Sequence, residues 1–152
     1  MEKRELNLLL IKVSTTHRRR SISEFIKQGL TAGQPRMLNY ISQNNGCIQR
    51  KIAEDCNLEP ASVTSVLNSM EKSGLITRTP VKGDKRALEV RLTEKGIEKK
   101  KIADEIAILI EDECFKGFSD EEKIVAKDIL ARIHQNMLDV EQRDVNINEK
   151  IN

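Results

Sequence analysis

At 152 residues, with 33% charged and 38% hydrophobic side chains, the chain is long enough to bury one sizeable core and too apolar for a disordered tail. No apolar stretch approaches the roughly 18 residues of a membrane span. The start MEKRELNLLLIKV is too interrupted by charge for a secretory signal, so a cytoplasmic protein without a membrane partner is expected. The net charge of +2 conceals an asymmetry: 7 Lys/Arg against 3 Asp/Glu in residues 1–30, 10 against 7 in 31–96, and 9 against 14 in 97–152. A basic front and an acidic back point to a polyanion as partner of the front.

Leu6, Leu9, Leu10, Val13 and His17, then Ile22, Phe25 and Ile26, recur at the spacing of an amphipathic helix, which Gly29 ends. Thr31 and Gln34 have the spacing of a capping box, the Thr hydroxyl on the third amide and the Gln reaching back. A second helix is expected through Met37, Leu38 and Ile41, with Pro35 harmless in its first turn and Asn44–Gly46 breaking it. In the next segment Ile48, Ile52 and Ala53 form one apolar stripe and Val63, Val66, Leu67 and Met70 another. The turn CNLEP lies between them, giving a helix-turn-helix that Gly74 closes.

LITRT and ALEVRLT alternate apolar and polar residues and pair as an antiparallel hairpin, with PVKGDKR as the connection. Thr93 then caps a long helix whose face carries Ile102, Ile106, Leu109 and Ile110. FKGFSDEE interrupts it, Ser119 and Glu122 form a second capping box, and Ile124, Leu130, Ile133, Met137 and Val140 mark a final helix. The closing RDVNINEKIN reads as polar and frayed. The fold class is therefore mainly α with a small β component. The long terminal helices bracket a middle module and are more apolar than isolated helices need, which favours burial against a second chain over burial within one.

Cys47, Cys56 and Cys114 are odd in number and share no CxxC spacing, so reduced thiols are expected rather than disulfides or a structural zinc. A redox-sensing thiol needs a pKa depressed by nearby cations, which Cys47 alone loosely offers beside Arg50 and Lys51. His17 and His134 sit on helical stripes without a nucleophile motif, and GDKR lacks the pattern of a phosphate loop. Neither an enzyme nor a cofactor or metal site is expected.

The stretches LTAGQPRMLNYI, IQRKIAEDCNLEPASVTSVLNSMEKSGLITR and GDKRALEVRLTEKG, spanning Leu30 to Gly96, resemble the MarR family of bacterial winged-helix transcription regulators. The combination of SVTSVLNSMEKSGLITR with DKR and LTEKG at family spacing is specific, whereas the flanking helices match only in length. The resemblance implies a winged helix-turn-helix domain at 31–96, with its recognition helix at about 60–73 and its wing at about 75–92. Segments 1–30 and 97–152 would be dimerisation helices. It further implies a homodimer on a pseudo-palindromic operator in double-stranded DNA, acting as a repressor, with affinity often governed by a ligand, a metal or thiol oxidation. The family's redox members carry a cysteine near the chain start, and residues 1–46 contain none. A small organic effector between the long helices and the DNA-binding lobe is the regulation expected here.

A recognition helix needs small polar side chains so that its backbone can approach the major groove, and Ala61, Ser62, Thr64, Ser65, Asn68 and Ser69 meet that need. Asn68 has the paired donor and acceptor that suit adenine. Lys72 fits the DNA backbone one turn on, while Arg50 and Lys51 open the preceding helix where they can clamp phosphate. In the hairpin, Lys82 and Lys85 supply mobile charge. Arg86 offers a planar fork for the minor groove or for phosphate, and Arg78 on the first strand offers a further phosphate contact. Asp84 either accepts hydrogen bonds from Arg86 or caps the turn. The family's wing carries an Asp-x-Arg pair, matched by Asp84 and Arg86, which supports the first role. The alternative function is a winged-helix protein-interaction or architectural module; it would lack the polar recognition face or the basic wing, and this sequence keeps both.

Overall fold

The computed structural model describes residues 4–56 and 58–151, except for the side chains of 84–86 and 144–151. Helices α1 (Glu5–Lys27) and α2 (Gln34–Gln43) are followed by a two-residue strand β1 (Cys47–Ile48) and helices α3 (Gln49–Asp55) and α4 (Pro60–Lys72). Strands β2 (Ile76–Val81) and β3 (Asp84–Leu92), then helices α5 (Glu94–Cys114) and α6 (Asp120–Ile151), complete the chain. The contacts divide it into two compact units, Met1–Glu111 and Asp112–Asn152.

In the first unit the helix ends are set by backbone chemistry that the sequence announces. At the end of α1, Gly29 takes φ +72, and the Gly29 and Leu30 N–H groups donate to the Ile26 and Phe25 carbonyls. Gly74, at φ +71, closes α4 in the same way, its own N–H and that of Leu75 reaching Glu71 and Met70. Both are Schellman caps, and in each the residue after glycine, Leu30 or Leu75, is buried. Two lysines of α5 complete these ends. Lys99 Nζ donates to the Gln28 carbonyl at 2.6 Å and Lys95 Nζ to that of Ser73 at 2.8 Å, placing positive charge on the negative ends of α1 and α4.

The start of α2 departs from expectation. The helix begins at Gln34 with Gly33 as its N-cap, and only half of the capping box forms: the Thr31 N–H donates to Gln34 Oε1 at 3.0 Å. Gln34 is itself buried, and its Nε2 donates to Ser69 Oγ on α4. Gly33 explains why the helices meet here, since a Cβ at that position would lie 2.8 Å from Val66 Cγ2.

The sheet has three strands in the order β1-β3-β2, all antiparallel, rather than the two expected. Cys47 pairs with Val90 and Ile48 with Glu89, so Ile48 is an exposed strand residue and not part of the α3 stripe with Ile52 and Ala53. The hairpin is also longer than its alternation indicated. Its connection is the two-residue turn Lys82–Gly83, with Gly83 at φ +91 and Val81 opposite Asp84, and a bulge falls at Pro80/Val81. Asp84, Lys85 and Arg86 therefore belong to the backbone of β3. The core joins Leu30 and α2 (Met37, Leu38, Ile41), α3 (Ile52), α4 (Val63, Leu67, Met70) and the sheet (Ile76, Val90).

Thr93 caps α5 as expected, its Oγ1 accepting from the Gly96 N–H at 3.0 Å while donating to the Gly74 carbonyl at 2.6 Å. The buried face of α5 is Gly96, Ala103, Ile106 and Ile110. Leu109 faces solvent, contrary to the expected stripe, and Ile102 is half-buried.

In the second unit the capping box of α6 forms in both directions, Ser119 N–H to Glu122 Oε2 at 2.8 Å and Glu122 N–H to Ser119 Oγ at 3.2 Å. Just before it, Phe115 and Phe118 meet edge to face at 5.6 Å. Helix α6 continues to Ile151, so the backbone of the segment expected to fray is helical.

Candidate nucleic-acid interface

Because Val63, Leu67 and Met70 anchor one face of α4 in the core, every other position of the helix has a fixed direction. Ser62, Val66 and Ser69 turn toward α1 and α2. Ser62 and Val66 line a cavity with Arg18, Ile22, Ala32, Gly33, Arg36, Met37 and Leu58, and half-buried Ser69 accepts from Gln34. Thr64, Asn68 and Glu71 turn instead toward α3 and β2. Ala61, Ser65, Asn68 and Lys72 are exposed at the spacing of one helical face.

On the α3 and β2 side lies a polar network centred on Arg78. Its Nη2 donates to Asn68 Oδ1 at 2.7 Å and to Glu71 Oε2 at 2.5 Å; its Nε reaches the same carboxylate oxygen at 3.1 Å, and its Nη1 reaches Gln49 Oε1 at 3.2 Å. Gln49 Nε2 in turn donates to Thr64 Oγ1 at 3.1 Å, and that hydroxyl donates to the Pro60 carbonyl at 2.9 Å. The Arg78 side chain is only 14% exposed. Its guanidinium holds the Glu71 carboxyl below the usual carboxylate range, against a smaller opposing effect of burial. One arginine on β2 thus fixes the first residue of α3, the middle of α4 and the root of the hairpin in a single arrangement. Gln49 and Glu71 are the partners the sequence did not single out; the acid seven residues before Arg78, across the glycine cap, was the available signal.

Arg50 Nε is 2.9 Å from Glu54 Oε1 and Lys51 Nζ is 3.7 Å from Asp55 Oδ1, exposed pairs along α3. Such pairs hold their partners weakly, so both cations can exchange to another anion. Asp55 also accepts from the Tyr40 hydroxyl at 2.5 Å, which, with a smaller effect of burial, raises the phenol well above its usual range and ties α2 to α3. Arg36 Nη2 reaches the Cys56 carbonyl at the end of α3. Lys82, in the hairpin turn, is exposed. The side chains of Asp84, Lys85 and Arg86 lie outside the described residues, and with them the pairing expected between Asp84 and Arg86.

Two further features bear on regulation. Partial burial raises the Cys47 thiol above its ordinary range, opposite to the depression a redox-sensing thiol needs; Cys56 is buried and Cys114 exposed. Among the described residues no group of three or more His, Cys, Asp or Glu could hold a metal ion. A cavity of about 360 Å³ lies between α1, α2 and α5, its lining including His17, Arg18, Phe25, Pro35, Arg36 and Ile110.

A helix-turn-helix whose second helix is anchored by a core and braced by a two-stranded wing defines the winged helix-turn-helix class. The MarR family model matches residues 30–88. Over this segment, which is under half of the chain, the sequence is similar to the MarR family, and the fold is that of a winged helix-turn-helix protein. It is 30% identical to the HTH-type transcriptional regulator YfiV of Bacillus subtilis over 62% of its own length, and 28% identical to YybA of the same organism over 75%. The matched regions span 59% and 76% of those relatives, so the chain covers less than two thirds of YfiV. Solved structures extend the similarity in fold over 91% of the chain. A MarR regulator from Methanosarcina mazei superposes with TM-score 0.80 at 18% identity, over 91% of this chain and 99% of that one. A MarR family regulator from Listeria monocytogenes, solved with a 26mer DNA, gives TM-score 0.75 at 24% identity over 91% of both chains. The organohalide-sensing RdhR regulator, in its 2,4-dichlorophenol-bound form, gives 0.79 at 23% identity over 91% of this chain and 82% of that one. At these identities the structural likenesses establish the fold alone.

Proposed function

We propose that the chain is a homodimeric, sequence-specific DNA-binding transcription regulator acting as a repressor, with residues 31–96 on DNA and residues 1–30 and 97–152 forming the dimer. The observation that carries this reading is the exposed stripe of α4. Ala61, Ser65, Asn68 and Lys72 are small or polar on a helix whose opposite face is locked, beside a hairpin bearing Lys82, Lys85 and Arg86. Such a surface admits a close approach of backbone to base edges, with flanking cations for phosphate. In this role Arg50, Lys51, Lys72 and Lys82 meet the DNA backbone, Ser65 and Asn68 meet base edges, and Arg86, aimed by Asp84, enters the minor groove. Ser62, Thr64, Ser69 and Arg78 face the neighbouring elements and support the helix from its flanks. The Listeria relative solved with DNA supports the assignment of partner.

Dimerisation is supported by the apolar side chains of the terminal helices, for Leu6, Val13 and Ile124 are 62%, 63% and 69% exposed in the single chain. Covering such a stripe by a second copy contributes about 25 cal/mol for each Å² of apolar surface removed from water. The test is selection of bound duplexes from a randomised library with the full chain. Paired half-sites about 34–36 Å apart are expected; enrichment of unpaired or random sequence would favour the architectural alternative.

A small organic effector is the second part of the reading, carried by the cavity between α1, α2 and α5. Its lining joins the charge of Arg18 and Arg36, suited to an anion, with the apolar Phe25 and Ile110, and the dichlorophenol-bound relative supports a ligand of that size. Benzoate and 2,4-dichlorophenol should raise the melting temperature of the chain and weaken its hold on the selected duplex; no effect of either on both readouts would remove this part.

A further inference from the structure

The Arg78 network fixes more than the position of α4. An arginine side chain has no hydrogen-bond acceptor, so the amide atom of Asn68 that faces Nη2 at 2.7 Å must be its oxygen. Arg78 cannot easily release that oxygen. Its Nε and both terminal nitrogens are committed to Glu71, Asn68 and Gln49, and the side chain is largely shielded from water. Asn68 is itself exposed on the outward face of α4. The amide is therefore held by its oxygen, with one lone pair engaged, and the end left wholly free for another molecule is Nδ2, a donor.

We infer that Arg78 is a positioning residue that holds Asn68 by its oxygen, so that Asn68 recognises a base chiefly by donating from Nδ2 to a major-groove acceptor rather than by the paired donor and acceptor of adenine. This rests on the DNA-reading function proposed above and deepens it. A free asparagine matches adenine by giving a hydrogen bond to N7 and taking one from N6; with Oδ1 engaged and its direction set by Arg78, the first carries the recognition. The base favoured opposite Asn68 is then guanine, thymine, or an adenine whose amino group is dispensable. Cytosine, which offers a donor at that edge, is disfavoured.

The experiment starts from the half-site selected by the full-length chain and locates the position whose base preference disappears in Asn68→Ala. If that position holds adenine, synthetic duplexes carrying purine without its 6-amino group should bind wild type within about twofold of the parent, and 7-deazaadenine should bind about tenfold more weakly. If it holds guanine, 7-deazaguanine should weaken binding. Asn68→Asp keeps an oxygen for Arg78 and turns a second one outward, so its preference should move to cytosine or to an adenine that needs its amino group, changing the ratio between duplexes by about tenfold. Arg78→Leu should flatten or alter the preference at this position and no other. A variant that merely loosens the wing lowers binding to every duplex alike and leaves the ratio unmoved. If Arg78→Leu does not fold, the base analogues and Asn68→Asp decide the matter. A cytosine, or an adenine whose amino group wild type requires, overturns the inference while leaving the DNA-reading function intact, as does an enriched half-site indifferent to Asn68→Ala. Failure to enrich any half-site overturns the DNA-reading function and, with it, this inference.

Discussion

Gly96→Ala sets helix propensity against geometry at a single site. In an exposed helix the change would stabilise by up to about 1 kcal/mol, since glycine is the costlier residue there. Here a Cβ would lie 2.0 Å from the Leu75 carbonyl oxygen and 3.3 Å from Leu92 Cδ2, where ordinary contact begins at 3.4 Å. The start of α5 would have to withdraw by roughly 1.4 Å to restore normal van der Waals spacing. That movement pulls on the bonds joining residues 73–75 to α5: Thr93 N–H to Leu75, Thr93 Oγ1 to Gly74 and Lys95 Nζ to Ser73. Overpacking of this kind costs about 3 kcal/mol, so after the propensity gain a net loss of about 2 kcal/mol is expected, or ~4–8 °C in Tm for a chain of this size. Urea midpoints should be compared at one fixed protein concentration, because the proposed dimerisation would contribute to stability. Gly74→Ala is the control: nothing lies within 4 Å of its would-be Cβ, and its cost is only the strain of a left-handed alanine, about 1–2 kcal/mol. A Gly96→Ala protein as stable as wild type would refute the close approach of α5 to the start of β2.

Tyr40 is the sole tyrosine and the chain has no tryptophan, so tyrosinate absorbance reads this one side chain. Its folded pKa is raised, first by donation to Asp55 and then by burial, so the stability it contributes is complete below pH 10 and is lost as pH rises through the folded value. The native midpoint should lie well above 10 and fall toward 10 in Asp55→Ala; a native midpoint at 10 would contradict the bond. Ser119→Ala removes one half of the α6 capping box and should cost about 1 kcal/mol by urea denaturation, whereas an unchanged midpoint would show that the box contributes nothing. Arg86→Ala should weaken binding to all duplexes. Asp84→Ala should weaken it too, although it removes negative charge; tighter binding in the second variant would refute the positioning of Arg86 by Asp84.

The features legible in the sequence were those written in local chemistry. Gly29 and Gly74 announce left-handed caps, Ser119 and Glu122 a reciprocal cap, and Val63, Leu67 and Met70 the buried side of α4. What escaped notice depended on distant partners. Strand β1 is two residues long and its Ile48 fits a helical stripe equally well, so only pairing with Val90 and Glu89 reveals it. The strands of the wing run on to Val81 and start at Asp84 because Pro80 pairs with Leu88 and Val81 with Asp84, while the composition of PVKGDKR reads as a turn. The site was legible as a helix and a hairpin, yet the roles within it were not. Whether Thr64, Asn68 and Arg78 face a ligand or one another depends on the angle at which β2 crosses α4, which no spacing within α4 reveals. Cys47 shows the same limit, because adjacent cations in sequence did not offset the burial that the sheet imposes.

In the proposed function, α4 reads DNA sequence and the basic hairpin grips the backbone. Titration of one selected duplex and one shuffled duplex of equal length, between 50 and 200 mM salt, tests both halves together. The selected duplex should bind at least about 10³-fold more tightly, with two chains per duplex. Affinity for it should fall by about 10³ to 10⁵ across the salt range if the dimer neutralises roughly six to ten phosphates. Equal affinity for the two duplexes, or binding nearly indifferent to salt, would contradict the account.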